Sequence, residues 1–224
     1  MIRIYHPTNR NNNRIKEIDF LRGFLILLMV MDHLFFDFGQ LIDDVLDVRQ
    51  GLATGNNEEF VRYWQEVSLD KTSFVATSIP EAHASGMKWF PYNKGGGFRR
   101  WYGFREYVLK WNGSEEELAS RLSWITKKPT LRNKNYWFKE SFTWSSISSD
   151  GFSARFSPKG ALFDNGGSSV FSENNLYLIG GLINSKVANR YFEFLAPTLN
   201  FQPGDVGHIA YSEKLKNIDV KDTI

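Results

Sequence analysis

The sequence contains no cysteine, and this absence excludes several kinds of chemistry. A chain of 224 residues without a thiol has no disulfide, no thiolate metal site and no cysteine nucleophile, which fits a reducing cytoplasm. Histidine is also sparse: His6, His33, His83 and His208 lie far apart and show no ligand spacing, which argues against zinc. The length suffices for one large domain, or for one domain with a small appendage.

Acidic residues are missing from residues 88–103. This stretch holds four basic and six aromatic side chains around a triple glycine at 95–97. Lys and Arg supply charge for a polyanion, and flat rings offer faces on which bases stack. Glycines let the backbone approach a ligand closely. The alternative is an aromatic-rich turn whose rings pack in the core.

The basic character extends beyond this stretch. Residues 88–140 carry twelve Lys/Arg and five Asp/Glu, an excess of seven positive charges in a chain whose net charge is +2. A basic segment within a near-neutral chain favours a face for a polyanion. A solvated charged surface is the alternative interpretation.

The N-terminal part has a different composition. Residues 1–16 are polar and basic and predict a solvated arm. Residues 17–42 contain a long apolar run and predict one hydrophobic helix. A membrane span needs about 20 mostly apolar residues, and the run is nearly that long, but Asp32 and His33 fall inside it. Such residues either handle protons within the membrane or mark the aqueous end of the helix. A soluble helix of this kind would be buried all round.

The following segments mix helical and strand patterns. Residues 43–50 form an acidic junction, and residues 58–67 predict a short amphipathic helix. Residues 104–111 alternate like a strand. A capping box predicts a helix at 114–125.

The second half has β-like runs and then a helical stripe. Four short runs within 141–171 alternate with turn signals, which is typical of antiparallel sheet. A helical stripe at 176–195 ends before Pro197, and 212–224 is a polar tail. The predicted fold class is α+β: a mixed or antiparallel sheet with flanking helices over 51–211, preceded by one hydrophobic helix.

The hydrophobic segment resembles part of a known family. The apolar run is preceded by Arg14, Glu17, Asp19 and the pair Arg22-Gly23, and it is followed by His33 and Asp37. This pattern resembles the first membrane helix of bacterial membrane proteins related to the heparan-alpha-glucosaminide acetyltransferases. The resemblance covers residues 14–42 and implies membrane contact through residues 20–38. It implies no acyl transfer, because the family's other membrane helices have no counterpart here.

Several blocks of sequence occur in a fixed order between residues 48 and 211. They are residues 49–57, 88–96, 98–103, 143–145, 155–160, 166–169, 182–186 and 197–200. Together they resemble the target-recognition region of PglX-type adenine-specific DNA methyltransferases of bacterial BREX phage-defence systems, and more loosely of type IIG restriction-modification enzymes. The resemblance implies a target-recognition-like fold and double-stranded DNA as the partner. A methyltransferase catalytic domain or other defence-system subunits are further implied partners.

The catalytic signatures of that family are absent. Such enzymes hold the flipped adenine with an Asn/Asp-Pro-Pro-Tyr/Phe loop and bind S-adenosylmethionine with a glycine-rich loop after a strand. The seven prolines of this chain are never adjacent, and the glycines at 95–97 follow a Pro-Tyr-Asn turn rather than a strand that opens a helix. We therefore expect no catalytic residue and no cofactor in this chain, and DNA binding without methylation.

Candidate DNA contacts follow from residue type and position. We assign contacts with the phosphate backbone to Lys88, Lys94, Arg99 and Arg100. Trp101 and Tyr102 are candidates for stacking or wedging against bases, with core packing as the alternative for Trp101. Further candidates are Arg155 and Lys159 on the same face, and Asn93, whose amide suits the edge of an adenine.

The two resemblances imply different locations. Basic residues before the apolar run favour a cytoplasmic N-terminus, so a spanning helix would place the DNA-recognition part outside the cell. Either the apolar segment does not span, or the chain is a chimera or a non-functional remnant. We expect a cytoplasmic DNA-recognition fragment. The alternative is a membrane-associated protein whose N-terminal helix carries the function.

Overall fold

The computed structural model describes residues 39–111, 116 and 131–212. The helices of this part are α1 Ile42–Val45, α2 Asn57–Phe60, α3 Ile79–Ala84, α4 Leu176–Ile183, α5 Lys186–Leu195 and α6 Pro203–Gly207. Its strands are β1 Gly39–Leu41, β2 Asp47–Arg49, β3 Val61–Tyr63, β4 Trp89–Asn93, β5 Tyr107–Lys110, β6 Ser141–Trp144, β7 Ala154–Ser157, β8 Leu162–Phe163, β9 Ser169–Phe171 and β10 Ala210–Ser212.

Within the described residues these strands form three sheets. The first sheet has the order β2-β9-β6-β7 and is antiparallel throughout. The second has the order β3-β5-β4-β8, in which β4 and β8 run parallel while the other neighbours are antiparallel. A separate antiparallel pair joins β1 to β10. The α+β class with mixed and antiparallel sheets is therefore confirmed.

One hydrophobic core lies between the first sheet and the helices α4 and α5. Ile179 and Ile183 of α4 and Phe192 of α5 are buried here. Gly180 makes the contact of α4 with the sheet possible, because a Cβ at this position would lie 2.1 Å from the ring of Phe142 on β6. The helix therefore packs with its backbone directly on an aromatic ring.

The second core is built from aromatic rings under the second sheet. Trp111 contacts Phe90, Trp137 and Phe138 with ring centroids 5.4, 6.2 and 5.7 Å apart, all edge to face. These four side chains are almost fully buried. Edge-to-face pairs of this kind are favourable beyond the area they bury, and they fix one end of β4 and β5.

Two predicted helices differ in the structure. The helix predicted at 58–67 is interrupted after Phe60 by β3, which pairs with β5, and the chain then forms a short 3-10 turn at Trp64–Glu66. The single helix predicted at 176–195 is divided into α4 and α5. The side chain of Asn184 bonds the backbone of Ala154, and the hydroxyl of Ser185 caps α5 by accepting a hydrogen bond from the Ala188 N–H. Both differences come from contacts distant in sequence.

The predicted strands are largely confirmed. β5 lies within the predicted strand 104–111, and the four runs in 141–171 form β6, β7, β8 and β9. One strand differs from the prediction: β8 does not join the sheet of β6, β7 and β9 but pairs in parallel with β4 in the second sheet. The helix predicted at 114–125 and the tail beyond Ser212 lie outside the described residues, apart from Glu116, which is helical.

The predicted hydrophobic helix also lies outside the described residues up to position 38. Its last four residues, 39–42, form β1 and the first residue of α1. The predicted junction 43–50 contains the rest of α1 and all of β2, which pairs with β9. In the part of the chain that the structure describes, no helix is long and apolar enough to cross a membrane.

Candidate nucleic-acid interface

The basic and aromatic side chains singled out in the sequence gather on one long connection between β4 and β5. We call residues 94–106 the basic-aromatic loop. Apart from one isolated bridge at Trp101, it forms neither helix nor strand. Such a connection would be free to move unless other parts of the chain held its backbone.

The loop backbone is tied to β7 and to the residues around it. The Gly96 N–H donates to the Ser145 hydroxyl (3.0 Å), and the Arg99 N–H donates to the Ser153 hydroxyl (2.8 Å). Trp101 donates to the Ala154 carbonyl (3.1 Å) and accepts from the Phe156 N–H (2.8 Å). The loop therefore lies along the free edge of β7 as an added backbone segment.

The triple glycine fixes the start of the loop by close backbone packing. A Cβ at Gly95 would lie 2.2 Å from the carbonyl oxygen of Gly166, and one at Gly167 would lie 2.6 Å from the carbonyl oxygen of Asn93. Two glycine segments thus pack backbone against backbone. Only glycine allows this approach, which gives a structural reason for both Gly-rich blocks in the sequence.

The anchored backbone leaves aromatic side chains in solvent. Trp101 and Tyr102 are each 57% exposed, and Phe98 is 38% exposed. Trp101 holds a positive φ of 72°, a conformation that costs a non-glycine residue roughly 1–2 kcal/mol. Its two backbone hydrogen bonds stabilise this conformation. The alternative of core packing for Trp101 is therefore excluded.

Cations lie over the rings of the loop. The guanidinium of Arg99 is 5.0 Å from the Phe104 ring and that of Arg100 is 5.2 Å from the Phe98 ring. The Lys94 ammonium is 5.0 Å from the ring of Tyr107. Arg105 donates to the Tyr102 hydroxyl at 2.9 Å. Each cation–π contact leaves the positive charge uncompensated, while restricting the side chain that carries it.

Lys94, Arg99, Arg100 and Arg105 form no ion pair within the described residues, although the loop contains one acidic residue, Glu106, whose negative charge acts on Arg155 beneath it. The ion pairs in that part of the chain are Arg49 with Asp47 and Arg190 with Glu193, both outside the loop. In the same part of the chain the buried Nε of Arg100 makes no hydrogen bond. The loop therefore presents a group of cations whose charge and donors are available to an anion.

Arg155 is buried beneath the basic-aromatic loop and binds its backbone. Arg155 is 1% exposed and donates a hydrogen bond to the Lys94 carbonyl at 3.0 Å. Its guanidinium lies 4.9 Å from the centre of the Phe104 ring, and the guanidinium of Arg99 lies 5.0 Å from the same ring. Burial lowers the pKa of Arg155 to about 10, with the attraction of Glu106 opposing this shift and the repulsion of Arg99 adding to it. The side chain is still charged at neutral pH. In this structure it positions the loop and is not available to contact DNA directly.

Asn93 is buried as well. It is 5% exposed, and its side-chain amide donates to the Ser157 hydroxyl at 2.7 Å, which joins β4 to β7. This arrangement does not present the amide to a base edge. Asn93 and Arg155 were both predicted to contact DNA, and both are buried for the same reason. They lie where two sheets meet, and their polar groups connect the sheets.

The two remaining candidate lysines lie away from the centre of the loop. Lys88 is exposed but precedes β4, so six residues of extended chain place it roughly 20 Å from Lys94. Lys159 is exposed in the turn after β7, where Gly160 packs close to the carbonyls of Phe74 and Ala76. The structure therefore brings together Lys94, Arg99, Arg100, Trp101 and Tyr102, and leaves Lys88 apart.

Sequence reasoning missed two residues of the group. Arg105 was assigned to a strand, but β5 begins at Tyr107, so Arg105 belongs to the loop. Phe104 was treated as the start of the same strand and instead lies between the guanidiniums of Arg99 and Arg155. The signal was present: Phe104 and Arg105 continue the basic and aromatic composition of residues 98–102 without a break.

The chain is similar to two known proteins. The chain is 42% identical over 171 residues to the adenine-specific methyltransferase PglX of Lacticaseibacillus casei (strain Zhang). It is 43% identical over 162 residues to the adenine-specific methyltransferase BrxX of Escherichia coli O9:H4 (strain HS). These matches cover 74% and 70% of this chain, which is homologous to both methyltransferases over that part. No protein-family profile matches the chain.

The matches cover only a small part of each relative. The chain spans 14% of the length of PglX and 12% of that of BrxX. The resemblance to a PglX-type region is therefore supported. The resemblance of residues 14–42 to an acyltransferase-related membrane helix has no support from these relatives, which are named as methyltransferases.

Proposed function

We propose that this chain binds double-stranded DNA through the basic-aromatic loop, as a target-recognition part of an adenine-specific DNA methyltransferase of the PglX and BrxX kind. The observation that carries the proposal is the loop itself. Its backbone is fixed on β7, while Phe98, Arg99, Trp101 and Tyr102 are exposed and Lys94, Arg100 and Arg105 are half-buried. Methyl transfer and S-adenosylmethionine binding are assigned to a catalytic domain that acts together with it.

The cations are suited to the phosphate backbone. Arg99, Arg100 and Arg105 carry forked donors that match phosphate oxygens, and Lys94 adds a point charge. None of these four cations forms an ion pair with a carboxylate within the described residues. Each phosphate that is neutralised releases counterions, so binding through these residues depends steeply on salt. Such contacts fix the position and orientation of the duplex and do not read its sequence.

The exposed rings supply a second kind of contact. Trp101 and Tyr102 are adjacent and more than half exposed, and a ring of this type stacks on a base or wedges into a base step. The positive φ of Trp101 fixes the direction in which its side chain leaves the backbone. We assign base contact to these two rings and backbone contact to the four cations of the loop.

The experiment is a DNA-binding measurement with a matched pair of variants. Fluorescence anisotropy of a mixed-sequence duplex gives the dissociation constant of the 224-residue chain over a series of salt concentrations. The double variant Arg99→Ala/Arg100→Ala removes two loop cations. The control Lys186→Ala/Arg190→Ala removes two exposed cations from α5.

The two double variants separate specific contact from net charge. The slope of log affinity against log salt is expected to become shallower by about 1.8 in the loop variant, because about 0.9 is lost for each phosphate contact. The control is expected to keep the slope of the unsubstituted chain. If both variants change the slope equally, the loop is not the contact surface. An absence of binding at low salt by the folded chain would contradict the proposal.

A further inference from the structure

A cavity adjoins the basic-aromatic loop, and most of its lining residues have no part in the contacts assigned above. Its volume is about 490 Å³, within the range of roughly 300–1,000 Å³ that is usual for small-molecule sites. The cavity is lined by the end of β4 and by aromatic and basic side chains, among them Trp64, Phe74, Tyr102, Arg105 and Tyr107. Two of these residues, Tyr102 and Arg105, belong to the loop itself.

The aromatic residues of this cavity face solvent. Trp64 is 40% exposed and Phe74 is 51% exposed. The backbone of Trp64 is fixed, because its backbone N–H donates to the Glu106 carbonyl at 2.8 Å. Tyr107 is held by stacking on Tyr63 at 4.8 Å between ring centroids. A fixed, open set of apolar rings is a surface that gains free energy when a flat apolar group covers it.

Three cations lie in or near the cavity, and one carboxylate, that of Glu106, lies between the lining residues Arg105 and Tyr107. Arg105 lies in the lining, and the Lys94 ammonium is 5.0 Å from the ring of Tyr107. Lys159 lies in the turn that packs against the carbonyls of Phe74 and Ala76. The lining contains no carboxylate. Rings inside and cations around them suit a ligand that is planar, aromatic and attached to an anion.

We infer that the cavity binds a single unstacked nucleobase of a DNA strand held by the basic-aromatic loop. The inference rests on the proposed function, because the loop supplies both the phosphate contacts and one wall of the cavity. A nucleotide has the required chemistry: a planar aromatic base, joined through its sugar to a phosphate. Stacking of one base on aromatic side chains contributes about 1–3 kcal/mol, whichever base it is.

The test compares two duplexes that differ in one base. One is a fully paired duplex, and the other is the same duplex with one additional extrahelical 2-aminopurine, whose fluorescence reports stacking. The 224-residue chain is expected to bind the bulged duplex about 5- to 150-fold more tightly than the paired one. The 2-aminopurine signal is expected to change when the complex forms.

Variants of the cavity outside the loop identify where the base is bound. Trp64→Ala and Phe74→Ala, made separately, are expected to abolish the preference for the bulged duplex and to leave binding of the paired duplex unchanged. Both side chains are about half exposed, so both variants are expected to fold. Phe194→Ala, which removes an exposed ring from α5, is the control and is expected to keep the preference.

Each remaining outcome distinguishes the inference from the proposed function. Equal affinity of the chain for the two duplexes would overturn the inference and leave the proposed function in place. Equal weakening of both duplexes by the cavity variants would also overturn it, because the cavity would then be part of the paired-duplex surface. Binding of the bulged duplex alone would support the cavity and contradict the proposed binding of double-stranded DNA. Binding of neither duplex would overturn both.

Discussion

Aromatic residues occupy two opposite environments in this molecule. Around Trp111, four large rings pack edge to face beneath the second sheet and are almost fully buried. In the basic-aromatic loop, Phe98, Trp101 and Tyr102 are 38–57% exposed, and cations lie beside two of them. The residue types are the same in the two regions, and what differs is how the backbone that carries them is held.

The backbone explains why the two sets of rings differ. β4 and β5 pair with each other, which directs Phe90 and Leu109 into one core. The loop instead lies on the edge of β7 through the backbone of Trp101, and within the described residues its rings Phe98, Trp101 and Tyr102 stay exposed. Aromatic composition therefore does not decide between core and interface. The hydrogen bonding of the backbone decides it.

The largest expected contrast is between two tryptophans. Trp111→Ala is expected to lower the free energy of unfolding by about 3–5 kcal/mol, because it leaves a cavity among buried rings. Trp101→Ala is expected to change it by about 0.5 kcal/mol or less, while weakening DNA binding. Urea denaturation of both variants measures the difference. A large loss of stability in Trp101→Ala would show that its ring is part of the core after all.

The triple glycine offers a matched pair of neighbouring substitutions. Gly95→Ala is expected to lower the free energy of unfolding by about 1–3 kcal/mol, because its Cβ would lie 2.2 Å from the Gly166 carbonyl oxygen. Gly96→Ala is expected to be nearly neutral, since its nearest neighbour would be the Phe104 ring at 3.7 Å. Thermal denaturation of the two variants compares them. Equal stability would contradict the close packing of the two glycine segments.

A smaller effect distinguishes Arg155, which positions the loop, from Arg99, which is proposed to contact phosphate. Arg155→Met removes the donor to the Lys94 carbonyl and is expected to weaken DNA binding about tenfold, while the slope of log affinity against log salt stays the same. Arg99→Ala is expected to make that slope shallower by about 0.9. Anisotropy titrations of both variants over a salt series provide the comparison. A shallower slope in Arg155→Met would mean that Arg155 contacts phosphate directly.

The smallest expected effect concerns pH. The hydrogen bond with Tyr63, together with partial burial, raises the pKa of Tyr107 from 10.0 to about 12. The folded chain then binds its proton more tightly than the unfolded chain, so this contribution to stability is complete below pH 10 and is lost as the pH rises towards 12. Urea denaturation over this pH range measures the loss, and Tyr107→Phe is expected to reduce it. An unchanged pH dependence in that variant would contradict the pairing of the two tyrosines.

The sequence predicted the fold class and five of the ten strands of the described residues, β5 to β9, because alternating apolar residues and turn signals are local. It did not predict the parallel pairing of β8 with β4, or the division of residues 176–195 at Asn184, since both depend on contacts distant in sequence. The same limit applies to the site. Residue type identified Arg99, Trp101 and Tyr102, but only the fold shows that Arg155 and Asn93 are buried beneath them.

The most direct test of the account is to locate bound DNA on the chain. Ultraviolet crosslinking of a 5-iodouracil duplex, followed by trypsin digestion and mass spectrometry, identifies the residues next to the bases. The account predicts crosslinks in the tryptic peptide 101–105, which contains Trp101 and Tyr102. Crosslinks confined to peptides of α4 and α5, with none in this loop, would contradict it.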